Sequence, residues 1–119
     1  MLNFKGKRIH LACGATDMRN NIDGLATVVQ IHFRLTPTSG DAVFVFCNAL
    51  RDRIKILEWD GDGFWLHYKR LEHGKFPWPK KSGEEKTMTL SPMELEYLLG
   101  GQKLKLRLER IDFTGRTVA

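Results

Sequence analysis

Between Tyr68 and Lys81 the chain gathers Tyr68, Lys69, Arg70, His73, Lys75, Phe76, Trp78, Lys80 and Lys81. Lysine and arginine at this density can neutralise phosphates and release condensed counterions. Aromatic rings among them can stack on bases or wedge at a base step. A plainer alternative is that Phe76 and Trp78 pin a loop to the core while the lysines are merely solvated. Trp, Tyr and Arg also anchor protein interfaces, so a protein partner is a third reading.

Other chemistries lack a constellation. His10 and Cys13 are the closest potential zinc ligands, but their odd spacing in a strand points them to opposite faces. His67 and His73 have no cysteine pair nearby. Asp60-Gly-Asp-Gly63 lacks the further oxygen ligands of a calcium loop. Metal-dependent strand transfer needs several converging carboxylates. Asp17 and Asp23 are accounted for by a helix cap and surface, and Asp60 and Asp62 by a turn. Ser and Cys have no recognisable activating partner. No glycine-rich phosphate loop is present. The pattern implies no enzyme, no cofactor and no metal.

The 119 residues fit one domain, and 42% hydrophobic residues suffice for a core. No run reaches the roughly 18 apolar residues of a membrane span, and no h-region marks a signal peptide. Cys13 and Cys47 lie in strand-like runs and read as free thiols of a cytoplasmic protein. The net charge of +5 is uneven. Residues 1–40 and 63–86 each carry net +3, residues 41–62 net −2 and residues 87–119 net +1. A basic excess favours a polyanionic partner such as DNA, although simple solubility also explains it.

The elements that position these residues follow from periodicity. Lys7 to Cys13 alternates as a first strand. Thr16 or Asp17 can cap a helix reaching about Arg34, with Met18, Ile22, Leu25, Val29 and Phe33 or His32 on its buried face. Gly24 inside it costs about 1 kcal/mol relative to alanine. It suggests a close approach there, or a helix start near Asp23. Ala42 to Cys47 is a continuous apolar run and reads as a buried strand.

Arg53 to Trp59 and Gly63 to Leu71 flank a hairpin turn at Asp60–Gly63. If Trp59 faces Phe64, then Leu57 pairs with Leu66, Lys55 with Tyr68 and Arg53 with Arg70. Those eight share one face. Ile54, Ile56, Glu58, Trp65, His67 and Lys69 share the other. Which face is buried stays open, and a one-residue slip would exchange them. Pro77 and Pro79 keep residues 73–83 irregular. Lys86 to Leu90 reads as a short strand. Ser91-Pro-Met-Glu94 opens a helix carrying Met93, Leu95, Leu98 and Leu99, which stops at Gly100-Gly101. Residues 103–109 alternate basic residues with leucine, as in a last strand. Residues 1–111 form the expected domain, and 112–119 a flexible tail.

Several motifs carry a family resemblance. In order they are Thr16-Asp-Met-Arg19, Ile22-Asp-Gly-Leu25, Phe44-Val-Phe46, Arg53-Ile-Lys-Ile-Leu57, Trp59-Asp-Gly-Asp-Gly-Phe-Trp-Leu66, Tyr68-Lys-Arg-Leu71 and Gly74-Lys-Phe76. The series resembles TnpB, the small second-open-reading-frame accessory protein of the insertion sequence 66 family of bacterial transposable elements, over about residues 9 to 100. It does not resemble the longer RNA-guided nuclease of the same name. The resemblance implies a helper in transposition beside a separate transposase that carries the chemistry. It supplies no catalytic residues. Asn48-Ala-Leu50 departs from the more basic stretch the family leads one to expect there.

The expected fold is α+β. A mostly antiparallel sheet of four to six strands has one long helix on a face, and a second, shorter helix closes an edge or the same face. The expected function is a non-catalytic accessory factor that binds DNA through Arg53, Lys55, Tyr68, Lys69, Arg70, Lys75, Trp78, Lys80 and Lys81. Lys69 is the outlier, on the opposite hairpin face. The alternative is an adaptor that binds or stabilises the transposase, using the surface of Trp59, Phe64 and Trp65.

Overall fold

The structure, a computed structural model, describes residues 3–81 and 83–100. Among the described residues five strands form one sheet: β1 (Arg8–Ala12), β2 (Ala42–Cys47), β3 (Arg53–Trp59), β4 (Phe64–Arg70) and β5 (Thr87–Leu90). Their order is β4-β3-β2-β1-β5. Of these strands only β1 and β2 pair in parallel. A parallel pair needs a crossover, and the helix-bearing residues 13–41 supply it. The class is therefore α+β with a mostly antiparallel sheet. The predicted strand at 103–109 and the predicted tail at 112–119 lie outside the described residues.

β2 is apolar throughout because it is covered on both faces, and all six of its residues are buried. On one face Leu25 and Val29 pack over Phe44, Phe46 and Leu57. On the other, Leu95, Leu98, Phe76, Trp78 and Phe4 cover Ile9, Leu11, Val43, Val45, Ile54 and Ile56. Each such side chain contributes about 1.5–3 kcal/mol of transfer free energy. The second helix thus covers the face opposite the first, not the same face.

The first helix is short. Six α-helical residues, α1 (Ile22–Thr27), run on into five π-helical ones (Val28–His32). It is not the long helix the periodicity predicts from Thr16 or Asp17. Asp17 instead closes a turn: its carboxylate accepts from the Arg19 amide at 2.9 Å and the guanidinium at 2.6 Å. The carbonyls of Met18 and Asn20 are drawn to the Lys55 ammonium, each at 2.8 Å. Asn21 becomes the N-cap, but its side-chain oxygen is also taken by Lys55, at 3.0 Å, and caps no helix amide. Gly24 sits against Asn20, where an added Cβ would meet Oδ1 at 2.4 Å. At the far end Arg34 turns left-handed (φ 57°) and the chain leaves the helix.

The hairpin has the predicted register: Arg53 faces Arg70, Lys55 faces Tyr68, Leu57 faces Leu66 and Trp59 faces Phe64. Gly61 adopts φ 105°, as the turn requires. The α1 side takes the face bearing Leu57, Phe64 and Leu66. The second helix, α2 (Pro92–Leu99), starts with the predicted capping box. Glu94 N donates to Ser91 Oγ at 3.1 Å, and Ser91 N to Glu94 Oε1 at 3.0 Å. Leu95 and Leu98 are its buried residues, whereas Met93 points outward. α2 crosses its face to the β4 edge, where Lys69 Nζ donates to the Leu99 carbonyl at 2.6 Å.

Candidate nucleic-acid interface

Strand directions bring the carboxyl ends of β1, β2 and β4 to one end of the sheet, with the amino ends of β3 and β5. The irregular segments 13–21, 48–52, 71–81 and 83–86 meet there. Asn48 builds the central loop: its Oδ1 accepts from the amides of Asp52 and Arg53, both at 3.0 Å, and its Nδ2 donates to Asp52 at 2.7 Å. Arg51 takes φ 59°, and its carbonyl accepts from Phe76 N at 2.6 Å. Leu71 N donates to Asp52 O at 2.8 Å. These bonds hold Arg51, Arg53, Arg70 and Lys75 close together, all four exposed.

Two of the residues expected at this interface are not available to a ligand. Lys55 is buried, its ammonium enclosed by three oxygens of residues 18–21 and 5.9 Å from the Tyr68 ring centroid. It joins the β1–α1 loop to the sheet. Trp78 is also buried, and its indole donates to the Ala12 carbonyl at 2.9 Å. With Phe76 it pins the loop, which corrects the expectation that it meets bases. Lys69 is exposed but on the α2 side, engaged with the helix end. Lys80 and Lys81 are exposed beside Gly14, whose amide donates to Pro79 O at 3.0 Å. Tyr68 is 54% exposed on the face of Arg53 and Arg70.

Residues 7–109 match the family described as IS66 Orf2-like protein. The chain belongs to this family. Two similar relatives are uncharacterised proteins of Sinorhizobium fredii. One, y4hO, is 40% identical over 79% of each chain. The other, y4jC, is 37% identical over 82% of this chain and 80% of its own length. No solved structure matches. The family is one of transposition accessory proteins, not a known catalytic one.

For an IS66 Orf2-like protein, the local electrostatics at this end are those of a mixed surface with an arginine centre. Arg70 bridges Glu72 at 3.0 Å and Arg19 bridges Asp17 at 2.6 Å. The Arg19 hydrogen bonds hold the Asp17 carboxyl down at about 2. Among the described residues Arg51, Arg53 and Lys75 form no ion pair, and Glu84 and Glu85 lie exposed in the neighbouring loop. Arg51 is not among the residues the sequence nominates, because its loop between β2 and β3 carries no periodicity. The basic pair flanking Asp52 was the available signal. Both thiols are free, and burial pushes that of Cys47 up to about 12, so it is inert at neutral pH. Among the described residues no three His, Cys, Asp or Glu side chains group to hold a metal. No helix among them is long and apolar enough to cross a membrane.

Proposed function

We propose that this protein is a cytoplasmic accessory factor of insertion-sequence transposition that binds the DNA backbone through Arg51, Arg53, Arg70 and Lys75. Tyr68 flanks that group, and Lys80 and Lys81 extend it. One observation supports this reading above the others. Arg53 and Arg70 are direct cross-strand neighbours. Like charges so placed destabilise a sheet. Among the described residues Glu72 offsets only one of them. A phosphate between the guanidinium groups would turn that repulsion into two charge-assisted hydrogen-bonded contacts. Such contacts position the protein without reading sequence.

The test is a titration against a duplex from an element end and a shuffled duplex at several salt concentrations. Binding should weaken linearly in log salt, and each lost phosphate contact should lower the slope by about 1. Arg53→Ala with Arg70→Ala should therefore flatten the slope by about 2. No binding at low salt would overturn the reading and leave the adaptor alternative, which the 57% exposure of Trp65 favours.

A further inference from the structure

We propose that the outer edge of β4 pairs with the same edge of a second copy of the chain, joining two sheets across a two-fold axis. β4 ends the strand order, and among the described residues nothing pairs with its outer side. The other edge strand, β5, has only four residues, whereas β4 has seven. A long edge is an open template unless something covers it.

The hydrogen bonds show which groups are open. Leu71 N donates to Asp52 O and Asp60 N to Gly63 O, so in this register the odd-numbered residues of β4 exchange bonds with β3. Phe64, Leu66, Tyr68 and Arg70 then direct their N–H and C=O groups outward. A symmetric antiparallel pair that overlaps the whole strand has its axis at His67, the middle residue. Phe64 then faces the copy's Arg70, Leu66 faces Tyr68 and Trp65 faces Lys69.

That register is chemically self-complementary. Each cation meets an aromatic face and each outward backbone group meets its counterpart. The side chains are already held: Trp65 Nε1 donates to Asp60 Oδ2 at 2.6 Å, Lys69 Nζ to Leu99 O at 2.6 Å, and Arg70 to Glu72 at 3.0 Å. Trp65 also stacks on His67 at 6.2 Å. Ordered side chains lose little entropy on association. The pairing leaves the two Tyr68 faces on the same side of the joined sheet and sets Arg70 beside Phe64 of the copy, while Arg53 stays on β3, one strand in from the paired edge.

Sedimentation of the full chain over a range of concentration tests this. The mass should rise from 13.7 kDa toward twice that value. Tyr68→Pro removes an outward N–H that β3 does not use, which an edge strand tolerates. It should abolish the rise. Trp65→Lys sets two lysines opposite each other and should shift dissociation at least tenfold, giving a second test should the proline variant fail to fold. Tyr68→Phe should remain dimeric. A monomer at every concentration would overturn the proposal. If its Leu66 and Tyr68 amides were nonetheless protected from exchange, the edge would belong to the chain's own residues 103–109. A dimer unaffected by both variants would place the contact elsewhere and equally refute it.

Discussion

Replacing Lys55 with methionine separates a structural lysine from a DNA-contacting one. Methionine keeps most of the stem and removes the ammonium with its three hydrogen bonds, to Met18 O, Asn20 O and Asn21 Oδ1. A hydrogen bond to a charged group contributes about 1.5–3 kcal/mol net. The three are not additive, because the freed loop can turn its carbonyls to water. A loss of about 2–4 kcal/mol is expected, as for other broken buried networks. Against a typical stability of about 5–15 kcal/mol this is a large fraction. Urea unfolding followed by tryptophan fluorescence should show a lower midpoint with little change in slope. The β1–α1 loop should also lose protection from hydrogen exchange.

A surface phosphate contact would behave in the opposite way. Stability would stay within about 0.5 kcal/mol of wild type, as for ordinary surface substitutions, while the salt slope of DNA binding fell. That result would refute the burial argument for Lys55. The expected result is a destabilised protein whose folded fraction binds DNA with an unchanged salt slope.

Three further outcomes follow from other packing contacts. Trp78→Phe leaves the Ala12 carbonyl without its donor and should cost about 1–3 kcal/mol in urea unfolding, with DNA affinity unaltered. Gly24→Ala should lower the Tm despite a propensity gain of about 1 kcal/mol, because the new Cβ meets Asn20 Oδ1 at 2.4 Å and Cβ at 3.1 Å; a raised Tm would show that Asn20 yields freely. His10 is buried, stacked on Phe44 at 5.4 Å, and its Nδ1 finds no partner among the described residues. Burial and then Arg8 hold its pKa below the ordinary 6.5, while Asp41 opposes them. Below pH 6.5 the unfolded chain therefore binds the proton more readily, and stability falls as the pH drops through that value toward the lower folded one. His10→Phe should keep the stack and flatten that part of the stability profile measured from pH 7.5 to 5.

The hairpin was legible because two independent local signals agreed on it. Asp60-Gly-Asp-Gly63 demands a tight turn, and the alternation on either side leaves one register that sorts the faces. The buried β2 was legible for a similar reason: six consecutive apolar residues have no solvent-facing alternative. The helix start was not. Thr16, Asp17 and Asn21 are all acceptable caps, and the choice among them is made by Lys55, which lies 34 residues beyond Asn21. No local pattern reports where a distant ammonium will sit.

The same limitation explains the interface. Lys55 shares its strand face with Leu57, and that face is covered by α1. Lys55 sits where that face turns from apolar Leu57 to basic Arg53, so the sequence alone fits a buried cation with oxygen partners and an exposed one equally. Trp78 gave no hint either, because a tryptophan between prolines and lysines reads equally well as an anchor or a stacking platform. The indole–Ala12 hydrogen bond decides it, and that contact spans 66 residues. Local composition can therefore nominate a basic surface. The long-range bonds of Lys55 and Trp78 determine which members of it face solvent, and they move the centre of charge from the lysine-rich loop to the arginines where β3 and β4 meet.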